Sequence, residues 1–163
     1  MDVKTIYAPD KETGTLVCEQ CGQTRVVKIS EVKIIGTPRK VRCNCGHVFF
    51  ISIEMRKFYR KQTKLPGEYT YISKNVSNRP EKGRMIVENL SKGGLGFRTE
   101  RPPNFRVQDV IQVKFNLDDE KRSEVSKRAA VKWVKAYFVG AEFLDPNAYS
   151  EANRALGFYF MLR

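Results

Sequence analysis

From Glu68 onward, apolar and polar residues alternate in short runs divided by turn-forming residues. Val110–Leu117 is the clearest run, with Ile111, Val113, Phe115 and Leu117 on one face and Gln112, Lys114 and Asn116 on the other. A period of two marks a half-buried strand. Glu68–Ser73 and Arg84–Glu88 flank the turn-rich stretch Asn75–Gly83 and read as a hairpin. Leu95–Thr99 follows a Gly-Gly turn, and Ala129–Val134 and Phe138–Phe143 bring the run to about six strands. Short antiparallel strands at this spacing predict a small barrel or sandwich. After Asp145-Pro146, Ser150 is placed to cap a helix. Its stripe of Ala152, Ala155, Leu156 and Tyr159 is suited to closing one end of a barrel.

The earlier part of the chain has a different texture. Thr15–Val17, Arg25–Ile29, Val32–Ile35 and Val48–Ile53 read as short strands, with Gly36-Thr37-Pro38 as a turn. This part holds all four cysteines, and no Gly/Pro/Ser linker divides it from the basic stretch around Arg56. The expected organisation is a β module over 1–53 and a mainly β domain with a C-terminal helix over 54–163. No apolar run approaches the roughly 20 residues that span a bilayer. Met1–Asp10 lacks the features of a secretory signal. The expected compartment is the cytoplasm, where reduced cysteines favour a metal site over disulfides.

Charge sharpens this picture. Thirty Lys and Arg against eighteen Asp and Glu give a formal charge of +12, which favours anionic partners without choosing among them. The densest concentration is Arg56, Lys57, Arg60, Lys61 and Lys64. A charge run is often only a solvated face, so its neighbours in the sequence matter.

Two short patterns accompany it. Arg56-Lys57-Phe58-Tyr59-Arg60 has R-x-x-x-R spacing just before the first expected barrel strand, and Asn89-Leu90-Ser91-Lys92-Gly93-Gly94 has N-x-S-x-x-G spacing after the second. In this order, with strands following and Val139-Gly140-Ala141-Glu142-Phe143 near the end, residues 54–145 resemble the PilZ domain. The resemblance implies a six-stranded antiparallel barrel that binds the bacterial second messenger cyclic di-GMP. The ligand would lie between the arginine segment and the Asn-Ser-Gly turn. Arg56 and Arg60 would grip phosphate oxygens or guanine O6 and N7 through paired N–H donors. Asn89 and Ser91 would bond a base edge or ribose, and Gly94 would permit close backbone approach. The arginine segment is expected to be flexible and to wrap the ligand. Many family members have a further arginine directly before the first motif residue, where this chain has Met55. Lys57, Lys61 or Lys64 would then supply charge, and the number of stacked ligands stays open.

Cys18-x-x-Cys21-Gly22 and Cys43-x-Cys45-Gly46 resemble the knuckles of a zinc ribbon, although the second is one residue shorter than the usual C-x-x-C. Four thiolates imply a closed structural Zn2+ site with no open coordination position. An empty ribbon remnant is the alternative. His47 is read as a surface residue of the knuckle. Trp133, in an apolar strand, is read as core. Lys92-Gly93-Gly94-Leu95-Gly96 lacks the spacing of a phosphate loop. No nucleophile has a partner histidine and no carboxylates cluster in a likely cleft, so an enzyme is not expected; the resemblance implies a receptor acting on a downstream protein. The rival readings are a nucleic-acid-binding module, suggested by basic charge and many aromatics, and a PilZ domain that has lost its ligand and acts through protein contacts.

Overall fold

The computed structural model describes residues 3–8, 12–31, 37–72, 80–144 and 149–161. It divides into two compact units, Met1–Lys57 and Phe58–Arg163.

In the first unit, β1 (Val3–Tyr7) runs parallel to β5 (Val48–Glu54), and β4 (Arg39–Arg42) pairs antiparallel on the other edge of β5. β2 (Thr13–Val17) and β3 (Thr24–Lys28) form a separate two-stranded ribbon. Two of these strands, β1 and β4, have no counterpart in the sequence reading. β1 gains its strand character from a partner more than forty residues away, and β4 is too charged to show an apolar period. The expected strand Val32–Ile35 lies outside the described residues. The core is small, with Ile6, Leu16 and Ile51 buried and Val27, Val41 and Phe49 packed around them. A core of that size contributes little stability, and natural domains this small commonly add a metal or disulfides.

The second unit is a closed barrel of six strands, all paired antiparallel, in the order β10-β11-β8-β7-β6-β9. Its strands are β6 (Lys61–Ile72), β7 (Pro80–Leu90), β8 (Gly94–Thr99), β9 (Val110–Asn116), β10 (Glu124–Lys135) and β11 (Phe138–Phe143). The alternation read in β9 holds, since Ile111, Val113, Phe115 and Leu117 are all buried against the barrel core. Phe97, Met85, Val87, Leu90, Val125, Val131 and Val139 fill the rest. The expected loop over 75–83 needs correcting. Pro80–Gly83 belong to β7 and pair with Ile72–Tyr69, and residues 75–79 lie outside the described residues. Glycine at 83 suits this pairing because the Tyr69 phenol covers the place a Cβ would take.

Helix α1 (Glu151–Met161) begins where Ser150 Oγ accepts the Asn153 N–H at 3.2 Å. Its expected stripe is the packed one, with Leu156 and Tyr159 buried and Ala152 and Ala155 against the barrel core. Phe97 is 1% exposed at the centre of that core. Phe97→Ala should therefore cost about 3–5 kcal/mol through lost transfer energy and a residual cavity, read as a lower urea midpoint at unchanged slope.

Candidate functional site

The outer surface of the barrel is set by two one-residue bulges. Along β7 the register against β8 runs Met85↔Thr99, Val87↔Phe97, then Asn89↔Gly96, so Glu88 is the extra residue. Along β10 it runs Val131↔Ala141, then Trp133↔Gly140, so Lys132 is the extra residue. A bulge reverses the side-chain alternation beyond it. Met85 and Val87 point inward and Leu90 does so again, which turns Asn89 outward. Ala129 and Val131 point inward, and the bulge turns Trp133 outward, where it is 45% exposed. The expectation of a core tryptophan is overturned for this reason. Each bulge residue is held by an exposed ion pair, Glu88 with Arg98 at 3.1 Å and Lys132 with Glu142 at 3.0 Å.

The result is one lateral row across five strands: Gln62, Asn89, Gly96, Gly140 and Trp133. The Asn89 amide lies over Gly96, and the Trp133 indole lies over Gly140, each where a Cβ would otherwise stand. A polar amide and a half-exposed aromatic ring thus share a shallow outer face.

The turn at one end of this face is internally bonded. Ser91 is 7% exposed, and its Oγ accepts the N–H groups of Gly93 and Gly94 at 3.3 and 3.1 Å. The Ser91 backbone N–H donates to the Gly94 carbonyl at 2.9 Å. Gly94 is required by the barrel itself, because a Cβ there would strike the Ala141 carbonyl of β11. The arginine segment approaches the neighbouring Gly93 instead. A Cβ at 93 would lie 2.7 Å from Phe58 Cδ2. Phe58 is therefore packed against the Asn-Ser-Gly turn, and it fixes the start of the segment Phe58–Arg60.

The remaining candidates occupy different surroundings. Arg60 is exposed on the segment that Phe58 anchors. Lys61 begins β6 opposite Leu90, and its Nζ lies 4.1 Å from the centre of the Tyr159 ring, while Gln62 takes the place beside Asn89. Arg56 and Lys57 belong to the first unit, where the Arg56 guanidinium is 3.3 Å from Glu54.

The four cysteines form a second constellation. Their sulfurs all lie within 4.8 Å of one another, with Cys18–Cys45 at 3.8 Å and Cys21–Cys43 at 3.7 Å. Four sulfurs about 2.3 Å from a tetrahedral zinc would be spaced about 3.8 Å apart, so this donor set fits the ion. The shorter C-x-C pair is accommodated by a tighter turn. The Cys18 N–H reaches the Gln23 carbonyl, five residues on, whereas the Cys43 N–H reaches that of His47, four residues on. Gly22 and Gly46 close both knuckles with φ of 70° and 90°, values that favour glycine. The N–H of Cys21 holds the Cys18 thiol down at about 6. The N–H of Gln23 favours the Cys21 thiolate, but desolvation and the adjoining sulfurs push that thiol up to about 12. His47 stacks on Phe49 at 5.4 Å and stands outside the sulfur cluster.

This barrel, with its bulged outer face and helical cap, defines the class of protein. A family model described as PilZ domain matches residues 54–158, and the chain belongs to that family. No curated protein sequence matches the chain. Among solved structures it is similar in fold to the PilZ domain of YcgR from Escherichia coli, solved with c-di-GMP. Identity is 17%, over 66% of this chain and 90% of that one, at a TM-score of 0.50. It is also similar in fold to the Bacillus subtilis inhibitor of motility, MotI/DgrA. Identity there is 13%, over 91% of this chain and 63% of that protein's length, at a TM-score of 0.55. No described helix is long and apolar enough to cross a membrane.

The two turn glycines should respond differently to a methyl group. Gly94→Ala meets backbone and should destabilise the barrel by about 1–3 kcal/mol. Gly93→Ala meets a ring that is 38% exposed and able to turn aside, so it should cost less than about 1 kcal/mol. Denaturant midpoints of the two variants, measured side by side, check the order.

Proposed function

We propose that this chain is a cyclic di-GMP receptor whose ligand lies on the outer face that carries Asn89 and Trp133. The observation that carries this reading is the row across β6, β7, β8, β11 and β10, with Phe58 holding the Arg60 segment beside it. Cyclic di-GMP presents two guanines and two phosphodiesters. Trp133 offers an indole face to one base, and such stacking contributes about 1–3 kcal/mol per base. The Asn89 amide is positioned to bond a base edge. Arg60 supplies the forked donor that matches phosphate or guanine O6 and N7. Ser91 acts by shaping the turn rather than by touching ligand, and Gly94 by letting β8 and β11 close. Arg56 and Lys57 are proposed from their spacing to Arg60 along the chain. On this reading the protein transmits occupancy to another protein and performs no chemistry of its own.

We further infer that the cysteine cluster of the first unit holds a structural zinc ion. Cys18, Cys21, Cys43 and Cys45 would satisfy its coordination, and the ion would cross-link two turns that a small core secures poorly.

Titration calorimetry with cyclic di-GMP tests the receptor reading. Arg60→Ala should weaken binding about tenfold to a hundredfold or more. Because Trp133 is the single tryptophan, intrinsic fluorescence should change on saturation and report that residue alone. Absence of heat with the unaltered protein at millimolar ligand would sink the proposal.

Zinc is tested by metal analysis, expected to return about one ion per chain. A strong chelator should then speed amide exchange in β2–β5 and leave the barrel strands protected. Metal-free protein with the same protection in both units would count against the ion.

A further inference from the structure

Lys61 directly follows Arg60, yet its side chain points away from the outer face. Only two ladder pairs, Lys61↔Leu90 and Gln62↔Asn89, lie on the Arg60 side of a register break in β6. The break falls between Gln62 and Leu65, where Thr63 Oγ1 donates to the Val87 carbonyl at 2.8 Å. The short start of β6 therefore needs a further anchor, and helix α1 supplies it. Lys61 Nζ rests 4.1 Å from the centre of the Tyr159 ring, and Tyr159 is 5% exposed. The Tyr159 hydroxyl donates to Asp118 Oδ1 at 2.5 Å, and burial followed by that hydrogen bond raises the phenol above its ordinary range. A phenol donating to a carboxylate has a more electron-rich ring, which strengthens its hold on a cation.

We propose that Tyr159 is a positioning residue for the ligand site, acting through Lys61 to hold Arg60 in place, so that docking of α1 and cyclic di-GMP affinity are coupled. This rests on the receptor reading above. Ligand seats Arg60, Arg60 and Lys61 are consecutive, and Lys61 joins this end of β6 to the helix. Coupling of this kind is reciprocal. A seated α1 favours ligand, and ligand favours a seated α1. The carboxylate that faces the Tyr159 hydroxyl is Asp118, and the cation that faces its ring is Lys61.

The test is a double-mutant cycle on affinity, combined with amide exchange in α1. Lys61→Gln and Tyr159→Leu should each weaken cyclic di-GMP about tenfold, and the double variant should be no weaker than either single one. In the unaltered protein, saturating ligand should slow amide exchange across Glu151–Met161. This second readout does not depend on any variant folding. Because bound ligand slows globally exchanging amides throughout the domain, the slowing expected for coupling is larger in α1 than in the barrel strands remote from the ligand face. Affinities that match the unaltered protein, or losses that simply add, together with α1 exchange indifferent to ligand, overturn the coupling while leaving the receptor reading intact. No heat with the unaltered protein overturns both.

Discussion

The outer face depends on the two single-residue bulges at Glu88 and Lys132. In a strictly alternating barrel, Asn89 would share the inward side of Val87, and Trp133 that of Val131. An amide and an indole would then enter a core already filled by Phe97, Phe115 and Met85. One extra residue in each strand reverses this. The reversal places both side chains on neighbouring parts of the surface, and the paired glycines on β8 and β11 give them room to lie against the sheet. Glu88 and Lys132, the extra residues, each find an opposite charge on the next strand. The face is furnished by these two insertions, beside a further register break in β6 between Gln62 and Leu65.

These bulges also decide what the residues revealed and what they hid. β9 was legible because it contains no bulge, and its period of two runs unbroken from core to solvent. The cap at Ser150 and the stripe to Tyr159 were legible because both are local. Trp133 was misread because periodicity extrapolates through a bulge as though it were absent. The signal that would have corrected it is Gly140, a glycine inside an apolar strand. β1 was hidden because its partner is remote and parallel. Ser91 and Gly94 were found as a motif, but their work in the structure is to bond the turn and admit a neighbouring backbone. The residue the arginine segment leans on is Gly93, which the motif spacing leaves unspecified.

Lysines 61 and 127 show how a shared charge type can hide different tasks. Lys57, Lys61 and Lys64 read alike in the sequence as reserve cations near the arginines. In the structure Lys61 is half-buried against the Tyr159 ring of α1, and Lys127, 3% exposed, bonds Asn153 of the same helix and lies 4.9 Å from the centre of the Phe143 ring. Each lies against a ring that only the packing of α1 and the closed barrel brings to it, and Lys127 has a polar partner as well. A count of basic residues thus overstates the charge that faces solvent.

The knuckles give the molecule an uneven dependence on its surroundings. The barrel owes its order to a buried core that no change of redox state or metal supply can reach. The first unit encloses few apolar side chains and gathers four reduced sulfurs at its tips. Oxidants and metal starvation would therefore act on one half of the chain and spare the other. The chain thus joins a unit ordered by burial to one whose order is concentrated in two sulfur-bearing turns.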